Sequence, residues 1–278
     1  MTTTATISAA EVNRLRQTTG AGMMDCKKAL TEAGGDFDKA IEVLRKKGQK
    51  VAASRAERDA KEGIVLAKTS ADGKKGILVS VNSETDFVAR NAEFAAFAEQ
   101  TAGIALEKFP ASVEALKALA FTGSLTISDK LNELVGKIGE KLELARYEQI
   151  STEKVVAYNH PGNKLATLVG FSKAISEEAG RNIAMQVAAM APVSLDKADV
   201  PQNIIDSELS VGRELARKEN KPEAMIEKIA QGRLNKFYSE STLLNQEYIR
   251  DGKQTVSQYL ATVDKDAKIT GFKRIALG

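Results

Sequence analysis

The stretch ILVSVNSETDFVARN, residues 77–91, decides how the chain is read. Ile77 to Val81 form an apolar run with β-branched side chains, which predicts a strand. The run breaks at Asn82-Ser83-Glu84-Thr85, and a large aromatic, Phe87, then stands beside an acid, Asp86. Beyond Asn91, the residues Phe94, Phe97, Ala98, Thr101 and Ile104 fall at helical spacing. A helix over about 91–107 is therefore predicted, covering the apolar face of the strand's sheet. Phe87 has two readings. It can fold back with Val88 as the first buried turn of that helix, with Asp86 as N-cap. Alternatively it stands exposed as an anchor for a pocket on another protein, with Asp86 beside it to compete for charge or metal contacts. A well-buried aromatic anchor contributes about 2 kcal/mol or more.

Upstream, GIVLAKT (63–69) and the turn Asp72-Gly73 lead into a strand over 76–82, which makes a hairpin. The order then recurs faintly: KVVAYN (154–159), Pro161-Gly162-Asn163, KLATLVGFS (164–172) and a helix over about 177–191, with Arg90-Asn91 repeated as Arg181-Asn182. Ile183, Val187 and Met190 have the spacing to cover the second sheet. The second link, Ser172 to Glu178, carries no aromatic in its interior. Helices near 112–121 and 127–140 separate the copies, and a strand over 142–150 is expected to join the second sheet. The fold class is α+β, with core subdomains over 63–141 and 142–278.

Residues 1–48 read as a three-helix unit. Ser8 and Glu11 have capping-box spacing, Ile7 and Val12 that of a hydrophobic staple, and Gly20-Ala21-Gly22 stops the first helix. A second helix covers about 23–33, and a third follows Asp36 with Phe37, Ile41 and Leu44 on one face. Residues 49–62 alternate in charge without a wide apolar stripe, which suggests a solvated linker helix. Arg45, Lys46, Lys47 and Lys50 form a basic patch that could touch an acidic partner or RNA, or simply be solvated. After Pro192 the chain becomes polar and helical. Residues 201–219 and 222–237 predict an antiparallel hairpin in which Ile204, Leu209 and Leu215 oppose Met225, Ile229 and Leu234. This hairpin, an insertion over about 201–237, could pack on the core or pair between two copies. Thr255 to Val263 predicts a short helix, and ITGFKRIAL a closing strand.

Composition narrows the chemistry. The 278 residues carry a net charge of +3, 43% apolar side chains, one histidine and one cysteine. Cys26 alone cannot form an intramolecular disulfide, and with His160 alone it leaves no histidine- or cysteine-rich metal site. The sequence contains no phosphate-loop pattern, and Gly20-Ala21-Gly22 is only half of a dinucleotide fingerprint. No apolar run is long enough to span a bilayer and the first residues do not resemble a secretion signal, so a cytoplasmic location is expected. Glu84 and Asp86 as an acid/base pair make a poor enzyme, since residues two apart on one loop rarely converge on one atom.

Two motifs carry a family resemblance. VNSETDFVARN (81–91) resembles the second signature of the elongation factor Ts family, and LRQTTGAGMMDCKKAL (15–30) resembles its first. The order of elements over 1–278 is similar too. The resemblance implies a small ubiquitin-associated-like (UBA-like) N-terminal domain over 1–48, a core of two related hairpin-plus-helix subdomains, and a helical hairpin inserted in the second.

That resemblance implies a guanine nucleotide exchange factor for elongation factor Tu in translation elongation, with no covalent chemistry, no cofactor and no metal of its own. Thr85, Asp86, Phe87 and Val88 would enter the GTPase domain near its magnesium site. Phe87 would wedge between helices, and Asp86 would disturb the residues holding magnesium and the β-phosphate. Met23, Met24 and Lys27 would add contacts, as would His160 towards the third domain of elongation factor Tu. Partner states would include the GDP-bound and nucleotide-free forms, with no membrane and no direct nucleic acid. Two features depart from the family pattern: Ser80 stands where glutamate is usual, and the chain stops at 276–278 where several relatives continue into a helical module. The competing function class is an RNA- or ribosome-binding module, suggested by the basic stretch 45–61, although only 5% of the residues are aromatic to serve as stacking platforms.

Overall fold

The structure, a computed structural model, describes residues 7–278. The N-terminal helices are α1 (Ala9–Thr19), α2 (Met23–Glu32) and α3 (Phe37–Ser54). Ser8 caps α1 through a complete capping box with Glu11, Gly20 ends it at φ 67°, and the Asp36 side chain accepts the Lys39 N–H to start α3. Val12, Leu15, Cys26, Ala29, Leu30 and Ala40 make the small shared core.

Next come β1 (Glu62–Thr69), β2 (Lys75–Ser83), α4 (Asp86–Ala89), α5 (Ala92–Lys108), α6 (Val113–Lys117), β3 (Ala120–Thr122), β4 (Leu125–Thr126), α7 (Ile127–Ile138) and β5 (Leu142–Ser151). The second half holds β6 (Lys154–Asn159), β7 (Leu165–Phe171), α8 (Glu177–Met190), α9 (Gln202–Lys218), α10 (Glu223–Ser241), β8 (Glu247–Tyr248), β9 (Asp251–Thr255), α11 (Val256–Val263) and β10 (Ile269–Ala276). The class is α+β. Two antiparallel three-stranded sheets, ordered β1-β2-β5 and β10-β7-β6, lie face to face.

The side-chain alternation of each strand explains the layering. On β1 and β2, Ile64, Leu66, Ile77, Val79 and Val81 point outward to Phe94, Phe97, Ala98 and Ala102 of α5. Val65, Ala67 and Leu78 point the other way, onto Val155, Ala166, Leu168 and Ile275 of the second sheet. Both faces are covered, so β2 is apolar at consecutive positions, and each such side chain contributes about 1.5–3 kcal/mol by burial. On the far side, Ile183 and Val187 of α8 cover Val169 and Phe171.

Several elements differ from the sequence reading. β5, expected in the second sheet, pairs with β2, Leu142 opposite Ser83 and Ser151 opposite Lys75. It brings Leu142 and Leu144 to the core under α5 and α7, while β10 takes the place beside β7. Residues 49–62 are not a separate solvated helix. α3 continues to Ser54, and its Gly48 lies so close to α7 that a Cβ would overlap the Asn132 carbonyl oxygen. Val51 and Ala52 then reach the first core. Met190, assigned to the covering face of α8, is exposed. The repeated dipeptide is not equivalent: Asn91 caps α5, whereas Asn182 lies inside α8 and donates to the Tyr259 hydroxyl at 3.4 Å.

The α9–α10 hairpin forms, but its seam is narrower than the spacing suggested. Gly212 and Ala216 face Ile226, Ala230 and Leu234, while Met225 is exposed. Small residues let the helices approach closely, and Arg213–Glu227 (2.8 and 3.0 Å) and Arg217–Glu223 (3.1 Å) lace the rim. Among the described residues, no helix is long and apolar enough to cross a membrane.

Candidate functional site

The turn after β2 is a separate element. Thr85 is the N-cap position of the short helix α4, and Asn91 is the true cap of α5, accepting from the Glu93 and Phe94 N–H groups. Asp86 therefore does not cap the long helix. Val88 turns inward and is buried, which leaves Phe87 facing solvent at 79% exposure. Asp86 pairs with Arg90 at 2.7 Å on the surface of α4.

Two carboxylates hold this projection at its base. Glu140, just past α7, accepts from the Thr85 N–H at 3.1 Å and from the Thr85 hydroxyl at 2.9 and 3.1 Å. The hydroxyl is thereby diverted from capping α4, which has no side-chain cap. Glu84 accepts from the Lys141 N–H at 2.6 Å, from Arg55 at 2.8 Å and from Arg58 at 3.3 Å. The Lys141 N–H first, then the two guanidinium groups, hold its carboxyl below the usual carboxylate range. Lys141 Nζ also donates to the carbonyls of Ala56 and Arg58 at 2.8 and 2.9 Å. Below them, Ser80 donates to the Asn82 side chain at 2.5 Å and Asn82 donates to the Ala60 carbonyl at 2.8 Å, so the serine is satisfied locally. Glu84 and Asp86 thus face different cations, which removes the paired acid/base reading.

Met23, Met24 and Lys27 lie on the outer face of α2, with Met23 and Met24 at 57% and 63% exposure. Cys26, Ala29 and Leu30 occupy the inner face, where burial raises the Cys26 thiol pKa. Lys137 of α7 links this region to α5: it pairs with Glu93 and lies against Gly20, in the turn leading to Met23. His160 is exposed in the β6–β7 turn, its Nδ1 3.0 Å from the Tyr158 hydroxyl. That turn docks at the Glu62 end of β1, through Lys164–Glu62 at 2.6 Å and the Val65 N–H donating to the Asn163 carbonyl at 2.7 Å. Glu62 lies opposite Ser83 in the ladder, so His160 and α4 belong to the same end of the first sheet.

The basic stretch 45–61 is largely neutralised within the chain. Arg45 pairs with Glu133 at 3.1 Å, Lys47 with Asp25 at 2.5 Å, and Arg55 and Arg58 with Glu84. Lys46 and Lys50 line an open cleft of about 580 Å³ between α2 and α3. Among the described residues, no cluster of histidine, cysteine and acidic side chains could hold a metal ion.

Sequence reasoning did not single out Glu140, Lys141, Arg55 or Arg58 as parts of the site. Their roles depend on the α7–β5 turn meeting the end of α3, which local patterns do not encode.

The described residues thus place an exposed aromatic, Phe87, on a turn held at its base by hydrogen bonds and ion pairs. Residues 84–278 match the family model described as Elongation factor TS. The chain is 51% identical to elongation factor Ts of Amoebophilus asiaticus, over 98% of this chain and 99% of that protein. It is 50% identical to that of Christiangramia forsetii, over 99% and 100%, and to that of Cytophaga hutchinsonii, over 98% and 99%. The chain belongs to the elongation factor Ts family.

Proposed function

We propose that the protein is a guanine nucleotide exchange factor for elongation factor Tu, acting through the projection Thr85-Asp86-Phe87-Val88. The observation that carries this reading is Phe87, exposed at 79% on a turn anchored at Glu84 and Thr85. A large apolar side chain held in water by a rigid base gains free energy only when a partner covers it. Phe87 enters the GTPase domain and Asp86 competes for the groups that hold the partner's magnesium and the β-phosphate. Magnesium and oriented backbone dipoles neutralise the diphosphate, so disturbing them weakens GDP binding.

The coupling is reciprocal. A factor that lowers GDP affinity must itself be displaced by nucleotide to the same degree, so the protein speeds equilibration in either direction. Met23, Met24 and Lys27 extend the contact from α2, and His160 supplies a separate contact. In this reading residues 1–48 are a UBA-like domain, and the two core subdomains divide after β5, whose pairing with β2 assigns residues 142–151 to the first of them; the protein acts in the cytoplasm. The α9–α10 hairpin is the surface through which two copies would pair. Stopped-flow release of fluorescent GDP from elongation factor Tu tests the function: release should accelerate with added protein, and an unchanged rate would refute it.

A further inference from the structure

We infer that Glu140 is a positioning residue, holding the Thr85–Val88 projection in its partner-binding conformation before the partner arrives. The inference rests on the exchange reading and deepens it. Thr85 is a residue type that caps helices well, yet its hydroxyl donates to Glu140 and leaves α4 without a side-chain cap. Glu140 receives the Thr85 N–H as well, so one carboxylate fixes both the backbone and the side chain of the first residue in the projection. The adjacent Lys141 N–H fixes Glu84, the residue before it, and the Ser83 hydroxyl donates to the Thr85 carbonyl at 2.9 Å. Residues 83, 84 and 85 are each tied down, while Phe87 itself is held by nothing except the helix it rides on.

This division of labour makes the clamp act on affinity. Without Glu140 the projection samples other conformations, and the apparent dissociation constant rises by the inverse of the competent fraction. Once seated in the partner, Phe87 and Asp86 do the same work as before, so the saturated release rate is retained.

The test is a titration of fluorescent GDP release from elongation factor Tu with full-length Glu140→Ala, Glu140→Gln and Phe87→Ala, alongside hydrogen exchange on the free proteins. For Glu140→Ala, a competent fraction near one tenth gives a half-saturating concentration about ten-fold higher. Its saturated rate should stay within about two-fold, the signature of a loss in binding alone. The Thr85 amide should exchange about ten-fold faster or more, while the buried amides of Leu78 and Val79 keep their protection. Glu140→Gln keeps an acceptor for Thr85 and should restore half-saturation to within about three-fold of the parent, being nearly isosteric. The inference is overturned by an unchanged half-saturation in Glu140→Ala, by strand amides that exchange faster along with Thr85, or by a Gln variant as impaired as Ala. If Phe87→Ala slows exchange and Glu140→Ala does not, only the positioning role falls. If Phe87→Ala also leaves release unchanged, the exchange site falls with it.

Discussion

Replacing Phe87 with alanine separates binding from folding. The ring is 79% exposed, so the free protein loses almost no buried contact, and its stability should change by less than about 0.5 kcal/mol. In the proposed complex the same ring is covered. Burying a phenylalanine side chain is worth about 2–3 kcal/mol relative to exposure, and about 1.4 kcal/mol corresponds to a factor of ten. Phe87→Ala should therefore lower the second-order constant for GDP release by about 30- to 150-fold with an unchanged thermal midpoint. The assay is stopped-flow release over a range of factor concentrations, paired with thermal unfolding of the free variant. Full acceleration by Phe87→Ala would refute the reasoning. So would a fall in thermal midpoint of the size seen for a buried side chain, because the ring would then belong to the fold.

Further outcomes follow from neighbouring residues. Asp86→Asn removes the charge proposed to compete at the partner's metal site; exchange should slow about ten-fold, while loss of the exposed pair with Arg90 alters stability by less than about 1 kcal/mol, read by urea unfolding. Glu84 has a folded-state pKa below its ordinary 4.5, so its stabilisation is fully present above that value and fades as pH falls through the lowered one. Urea midpoints of Glu84→Gln and the parent should thus differ at pH 7 and converge in acid, and a constant difference across that range would contradict the assignment. Gly136→Ala sets a Cβ about 2.9 Å from the Gly48 Cα and should cost about 1–3 kcal/mol by forcing α3 from α7, visible in thermal unfolding. Gly212→Leu should splay α9 from α10 and speed hydrogen exchange in that hairpin, leaving the sheets protected, since the pair packs mainly on itself.

How much was legible in the sequence depended on the range of the forces involved. Ser8, Gly20 and Asp36 act on backbone groups within a few residues, so the start and stop of α1 and the start of α3 could be read directly, whereas the end of α3 at Ser54 and the capping of α5 by Asn91 could not. The alternation of Ile77, Leu78 and Val79 similarly marks a strand. Partner choice between strands was not legible: β5 had two open edges of similar pattern to join, and only the core around Leu142 and Leu144 decides between them. Nothing local in the sequence marks Gly48 and Gly136 as the crossing point of α3 and α7. At the site, pattern alone left Phe87 between a buried turn and an exposed anchor. Asn91 capping α5 separates α4 from the long helix, and inward Val88 leaves Phe87 outside. The clamp of Glu140 and Glu84 joins segments distant in the chain and has no local signature.

The most direct measurement is photocrosslinking from position 87. A benzophenone amino acid there, in complex with nucleotide-free elongation factor Tu, should react with residues of the GTPase domain beside the magnesium and β-phosphate site, and excess GDP should suppress the adduct. Crosslinks confined to other surfaces, or adducts indifferent to GDP, would contradict the account.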